Sequence, residues 1–272
     1  MSCKKGNNIE IILLENNLVS ISKCCFLKNK ILLDKKTILN ANLLDLVNSQ
    51  SIEKLDERLC LETCTKLEKI DTISLCGIRN CNLNCYHCYW ENHKDSLEIK
   101  QFYFNFLTYL SKGHYESLVL DGSGEIFTYW DDLLTFLKSI TSNNFKEICF
   151  ITNANLLNSN RINELYNISK NTNVKYFFNV SIDGITKEVY EDIRLGGNFE
   201  KLIENINLII QYFPIKFTFT LKKQNYKEAF QLKDFLEKTF KFKHYYEISF
   251  GADAYDESLF KYLKFLKDYK SS

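Results

Sequence analysis

The chain has 272 residues, 45% of them hydrophobic and 25% charged, which is the composition of a globular protein and excludes disorder as its main state. Thirty-five Lys and Arg against 34 Asp and Glu leave a net charge of +1, which argues against a nucleic-acid binder that works by bulk positive charge. No apolar run approaches the ~20 residues of a membrane span, and the opening MSCKKGNN has no hydrophobic signal segment, so a cytoplasmic protein with no membrane partner is expected.

Residues 9–14 and 18–22 are short apolar runs flanking Glu15, Asn16 and Asn17, the pattern of a hairpin, and a third short run, 31–33, precedes a helical region from about 41 to 67. From residue 72 onward the pattern changes. Apolar β-rich runs at 72–76, 117–120, 147–151, 175–182, 215–221 and 245–250 alternate with amphipathic stretches at 97–111, 131–142, 161–169, 199–213, 226–240 and 257–269. In the second of these, Leu133, Leu134, Leu137 and Ile140 recur at helical spacing. Strand–helix alternation repeated six times predicts right-handed crossovers onto a parallel sheet. Six units are too few to close an eight-stranded barrel, so the expected fold is α/β, an open, partial (β/α)6 barrel of the TIM type. Residues 1–70 would form a small cysteine-bearing α+β module in front of a barrel spanning 71–272. The functional site should lie at the C-terminal ends of the strands.

Ten cysteines carry most of the chemical information. A reducing compartment disfavours disulfides, which leaves buried thiols, zinc or iron–sulfur clusters. Directly after the strand at 72–76 comes LCGIRNCNLNCYHCYW, with Cys81, Cys85 and Cys88 separated by three and two residues. Four thiolates saturate a [4Fe–4S] cube, whereas three leave one iron open to an outside ligand. A structural zinc completed by Cys76 or His87 is the competing reading. Cys76 and Cys149 lie on strands and read as small buried hydrophobes.

This arrangement resembles the radical S-adenosylmethionine (SAM) superfamily, whose signature is C-x3-C-x-aromatic-C after the first strand. The resemblance implies that Cys81, Cys85 and Cys88 hold a [4Fe–4S] cluster whose open iron chelates SAM. Reductive cleavage of SAM then releases a 5′-deoxyadenosyl radical that takes hydrogen from a substrate. His87 stands at the aromatic position and would pack beside cluster and adenine.

Further likenesses follow in order over residues 72–251. LDGSGEIF resembles the family's glycine–glycine–glutamate motif, with Ser123 in place of the first glycine and Ile126 where a proline often stands; Gly124 and Glu125 would hold the SAM amino group. ITNAN is similar to the family's Thr-Asn-Gly and puts Asn153 near the cofactor. NVSIDG followed by YEDIRLGGNF implies that Ser181 contacts the ribose or carboxylate and that Arg194 pairs with the carboxylate. LKKQN places Gln224 or Asn225 toward the site, while Asp253, Tyr255 and Asp256 are candidate substrate contacts.

The remaining cysteines lie near the N-terminus, and CKKG, the hairpin, the Cys24–Cys25 pair and LCLETC resemble SPASM or twitch auxiliary-cluster modules, which usually follow the barrel. The resemblance implies a second [4Fe–4S] cluster on Cys3, Cys24, Cys60 and Cys64, with Cys25 as the alternative to Cys24. Zinc at the same positions, or no metal, stays open. The family's habits imply a peptide or protein side chain as substrate, with a sugar, nucleotide or other small metabolite as the alternative, and an external electron donor such as flavodoxin or ferredoxin. A catalytically inactive or zinc-stabilised partner-binding protein is the remaining alternative.

Overall fold

A computed structural model of the chain describes residues 8–13, 18–22, 31–48, 68–88, 94–121, 123–252 and 257–266. It opens with three strands, β1 (Asn8–Leu13), β2 (Leu18–Ser22) and β3 (Ile31–Asp34), and two short helices, α1 (Lys35–Asn40) and α2 (Leu43–Asn48). Then come β4 (Thr72–Cys76), β5 (Asn84–Cys85), α3 (Leu97–Leu110), β6 (Tyr115–Leu120), α4 (Trp130–Ser139), β7 (Phe145–Thr152) and α5 (Ser159–Thr172). The chain continues through β8 (Lys175–Ser181), α6 (Lys187–Ile193), β9 (Arg194–Leu195), α7 (Phe199–Tyr212) and β10 (Ile215–Leu221). It finishes with α8 (Tyr226–Ala229), α9 (Leu232–Thr239), β11 (Tyr246–Ala252) and α10 (Phe260–Leu266).

Six strands run parallel in the order β4-β6-β7-β8-β10-β11, each beside the one before it in the barrel sequence, as the alternation predicts. The sheet has nine strands and stays open, with β11 at one edge and β3 at the other. β1 pairs in parallel with β4, from Asn8 opposite Thr72 to Ile12 opposite Cys76, and the β1–β2–β3 meander continues outward from it. The described strands before residue 70 therefore extend the barrel sheet.

The strands alternate sharply in burial. In β10, Ile215, Phe217, Phe219 and Leu221 are buried while Lys216, Thr218 and Thr220 are half-buried. The buried set joins the helix faces in one apolar core. A closed parallel barrel, covered on both sides, would read as a continuous apolar run. The alternation here marks an inner face left partly open, on which Ser74, Cys76, Cys149, Asn179, Ser181 and Thr218 stand. Cys76 and Cys149 are thus half-buried on that face and not part of the core expected for them.

Polar side chains start three of the long helices. Ser96, Asn158 and Asn198 accept hydrogen bonds from the backbone N–H of Ile99, Arg161 and Lys201, satisfying donors that a helix N-terminus leaves open. The core centres on aromatic side chains: Phe178 on β8 lies 5.3 Å from Phe150, 5.2 Å from Phe213 and 6.3 Å from Phe127, ring centre to ring centre. Phe178→Ala should cost about 3–5 kcal/mol, read as a lower urea midpoint at unchanged slope; a loss below about 1 kcal/mol would mean that this cluster does not anchor the sheet.

Candidate functional site

The loop joining β4 to α3 carries Cys81, Cys85 and Cys88, and hydrogen bonds from three residues hold its backbone. Asp95, one residue before the Ser96 cap, accepts from Arg79 N–H at 2.9 Å and Asn80 N–H at 3.0 Å, and from the Tyr129 hydroxyl at 2.8 Å. Ser123 accepts from Gly77 N–H at 3.0 Å and donates to Ile78 C=O at 2.8 Å, a bridge that glycine in its place has no atoms to make. The Glu125 N–H donates to Asn80 C=O at 2.8 Å. Gly124 has no room for a side chain, since a Cβ there would stand 2.7 Å from Arg79 C and 2.8 Å from the carbonyl oxygens of Ile78 and Asn80. The strand-end loop after β6 is thereby pressed backbone to backbone against the cysteine loop.

Glu125 is 1% exposed and its carboxylate is taken up within the protein. It accepts from the Thr152 hydroxyl at 2.9 and 3.0 Å, from Asn153 N–H at 2.8 Å and from Phe127 N–H at 3.4 Å. The side chain expected to meet the SAM ammonium ties the end of β6 to the end of β7. Asn153 is also buried; its Nδ2 donates to Asn82 Oδ1 at 3.0 Å and lies 3.9 Å from Cys81 Sγ. The next residue, Ala154, has φ +58°, the left-handed conformation that favours glycine. Its carbonyl is held by the buried Asn205 of α7 at 2.8 Å.

On the other flank, β5 and β9 form a two-stranded ribbon that sets Cys85 opposite Arg194. Arg194 Nη1 donates to Cys85 Sγ at 3.7 Å, while Nη2 lies 2.7 Å from Asp183 Oδ2. Asp183 is fully buried; its Oδ1 accepts from Thr220 N–H at 2.7 Å, and His87 Nε2 lies 3.5 Å from its Oδ2. His87 thus meets a carboxylate where the sequence suggested packing beside the cluster or, in the zinc reading, metal ligation. Burial works against the Arg194 charge, but Asp183, with Cys85 and Tyr190 beside it, more than reverses this, and the net shift is upward.

The three thiols come from one loop at the C-terminal ends of the strands, and the charge of Cys88 acts on both Cys81 and Cys85. Burial pushes Cys81 up to about 11, and the negative charges of Glu125, Cys85 and Cys88 add to it. Burial also raises Cys85, with Arg194 opposing. Metal loading must therefore displace protons from these thiols. Among the described residues, no three His, Cys, Asp or Glu side chains converge as one metal ion requires. A [4Fe–4S] cluster asks for something else, because each thiolate takes a separate iron. The residues present fit such a group: three thiols on one loop, and against Cys85 the guanidinium of Arg194, whose buried Nε has no hydrogen-bond partner.

Ser181, the last residue of β8, is half-buried on the inner face. Gln224 is exposed, and Asn225 is fully buried within the turn after β10, donating to Asp183 C=O and Thr220 C=O, each at 2.9 Å. Asp183, Asp95 and Ser123 are the residues that sequence reasoning did not assign. All three stand inside or just after quoted motifs, and their signal was a polar side chain at a strand end or helix start. Cys3, Cys24, Cys25, Cys60 and Cys64, with Asp253, Tyr255 and Asp256, lie outside the described residues.

A parallel half-barrel with a three-cysteine loop across its C-terminal strand ends defines a class of metal-cluster enzyme. The radical SAM superfamily profile matches residues 75–236, which places the chain in that superfamily and implies an enzyme using a [4Fe–4S] cluster and SAM. No curated protein matches the sequence. Among solved structures, SuiB of Streptococcus suis bound to its precursor peptide SuiA matches with a TM-score of 0.54 at 14% identity, over 97% of this chain and 69% of that one. The structure of anSMEcpe with bound AdoMet and a Kp18Cys peptide matches with a TM-score of 0.46 at 19% identity, over 64% and 49%. TYW1 with a lysine-pyruvate adduct matches with 0.45 at 16% identity, over 71% of each chain. At these identities the likeness is one of fold, and this chain spans about half the length of anSMEcpe.

Burial moves the Glu125 carboxyl up to about 7, against the opposing hydrogen bonds from Asn153, Thr152 and Phe127. Its folded value lies above its unfolded one, so its contribution to stability is complete below about pH 4.5 and is lost as pH rises through about 7. The loss is on the order of 3 kcal/mol. Unfolding free energies of wild type and Glu125→Gln should therefore converge or cross between pH 4.5 and 7.5, with the wild type losing ground; parallel curves would show that Glu125 folds already ionised.

Proposed function

We propose that Cys81, Cys85 and Cys88 hold a [4Fe–4S] cluster and that the chain is a radical SAM enzyme acting on a peptide or protein side chain. The observation that carries the reading is the loop of three thiols laid across the strand ends, braced on one side by Ser123, Gly124 and Glu125 and on the other by Arg194. The bound cluster would supply the electron that cleaves SAM reductively.

The chain's own residues supply position and shelter. Gly124, Asn153 and Ser181 stand at neighbouring strand ends, where backbone and short polar side chains meet the cofactor. Glu125 and Arg194 frame that pocket from within, as their polar groups are engaged by protein partners. The half-open inner face of the sheet is the seat for substrate. Its lining mixes Ser, Asn and Thr with the half-buried Val119, Ile151 and Phe177, and so offers both hydrogen bonds and apolar contact. The fold shared with SuiB, whose solved complex holds a precursor peptide, supports the peptide class. We assign Cys3, Cys24, Cys60 and Cys64 to a second cluster, and a flavodoxin- or ferredoxin-type protein as the electron donor.

Anaerobically reconstituted protein should bind about eight irons per chain, and a Cys81/Cys85/Cys88 triple-alanine variant about four. Wild type given SAM and a strong reductant should form 5′-deoxyadenosine, and Cys85→Ala should form none. Retained cleavage in Cys85→Ala would sink the assignment of the site, and four irons falling to none would remove the second cluster. Stimulation of SAM cleavage by sugars or nucleotides but not by peptides would overturn the substrate class.

A further inference from the structure

The resemblance assigns Arg194 to the SAM carboxylate, a task suited to the guanidinium fork. Both prongs are engaged inside the protein. Nη2 sits 2.7 Å from Asp183 Oδ2 and Nη1 sits 3.7 Å from Cys85 Sγ. Asp183 in turn is fixed in place, since its Oδ1 accepts from Thr220 N–H at 2.7 Å and its carbonyl accepts from Asn225 Nδ2 at 2.9 Å. The pairing with Cys85 is also made through the main chain. Residues directly opposite in an antiparallel ribbon share a face, and the register sets Cys85 opposite Arg194. The Tyr86 N–H donates to Ile193 C=O at 2.9 Å, closing the ribbon beside that pair. The Arg194 side chain is 9% exposed, and its Nε has no hydrogen-bond partner although it is buried.

We infer that Arg194, held by Asp183, is a positioning residue for Cys85 and sets the reduction potential of the cluster bound there. This rests on the cluster assignment proposed above. An N–H donor and a buried positive charge at a ligand sulfur favour the reduced cluster, which carries one more negative charge. Asp183 orients the guanidinium through its 2.7 Å contact, and its negative charge opposes that of Arg194 at Cys85, where Arg194 has the larger effect. The Asp183 link also ties the ends of β8 and β10 to the cysteine loop, so movement of those strand ends would be felt at Cys85.

The test is an EPR-monitored redox titration of anaerobically reconstituted, SAM-free protein, for wild type, Arg194→Gln and Arg194→Lys, followed by SAM affinity read from the change in the same signal. With equal iron content, Arg194→Gln should show a reduced-to-oxidised ratio about tenfold lower at the wild-type midpoint, a shift of about 59 mV for one electron. Arg194→Lys should recover most of the shift. Because Arg194→Gln leaves Asp183 buried without its counter-charge, Asp183→Asn/Arg194→Gln serves as a second variant, and its midpoint should also fall below wild type. An intact cluster with an unchanged midpoint in both variants overturns the inference alone. So does an unchanged midpoint with weakened SAM affinity, which would return the guanidinium to the cofactor. A wild-type chain that takes up no cluster overturns the function and this inference together.

Discussion

A buried ion pair joins the parts of this site that lie far apart in sequence. Asp183 ends one strand–loop unit, Arg194 opens the short strand β9 eleven residues later, and Cys85 arrives from a loop more than a hundred residues earlier. Taking the two charges out of water is costly, and a buried pair of this kind is weak support for stability. Its geometric effect is strong, however, because losing either partner would leave the other charged and unsolvated. The ribbon β5–β9 closes with this pair in place, and its register sets the middle cysteine opposite Arg194.

The opposite flank of the cysteine loop is held by hydrogen bonds to carboxylates and a hydroxyl. Asp95 gathers the N–H groups of Arg79 and Asn80, and Ser123 spans Gly77 and Ile78. Glu125 meanwhile joins the ends of two neighbouring strands. On the proposed cluster assignment, a backbone already fixed before metal arrives leaves less ordering for the binding step. Two departures from the family pattern fall into place here. Ser123 replaces a glycine and uses its hydroxyl as the bridge, while Ala154 keeps the left-handed turn where the family has glycine and is braced by Asn205.

The strands of the repeated units were legible in the sequence to within a residue or two, as for β4 and β10, whose bounds match the apolar runs, while α4 and α5 end three residues from where the pattern placed them. Periodicity works there because each strand buries one alternating face under amphipathic helices. Where local pattern is short, it failed. α6 spans only seven residues, and β5 and β9 span two each, too few for a period to show. The run at 226–240 reads as one helix but is split into α8 and α9 at Phe230 and Gln231, with no proline or glycine to mark the break. The N-terminal strands were recognised as strands, yet their union with the main sheet through β1 and β4 is a non-local pairing that no local pattern encodes.

The sequence by itself determined the chemistry: three thiols at fixed spacing after a strand, glycine and polar residues at successive strand ends, and an alternation that builds a parallel sheet. Those are properties of residue type and short spacing, which survive without coordinates. Only the tertiary structure decided who partners whom. Glu125 turns inward to Thr152 and Asn153, and Arg194 to Asp183 and Cys85, because each polar group was carried into a place with little water and had to find hydrogen-bond or ionic partners there. Which counterpart lies within reach depends on strand order and crossing loops, and these bring residues together across dozens of positions of sequence.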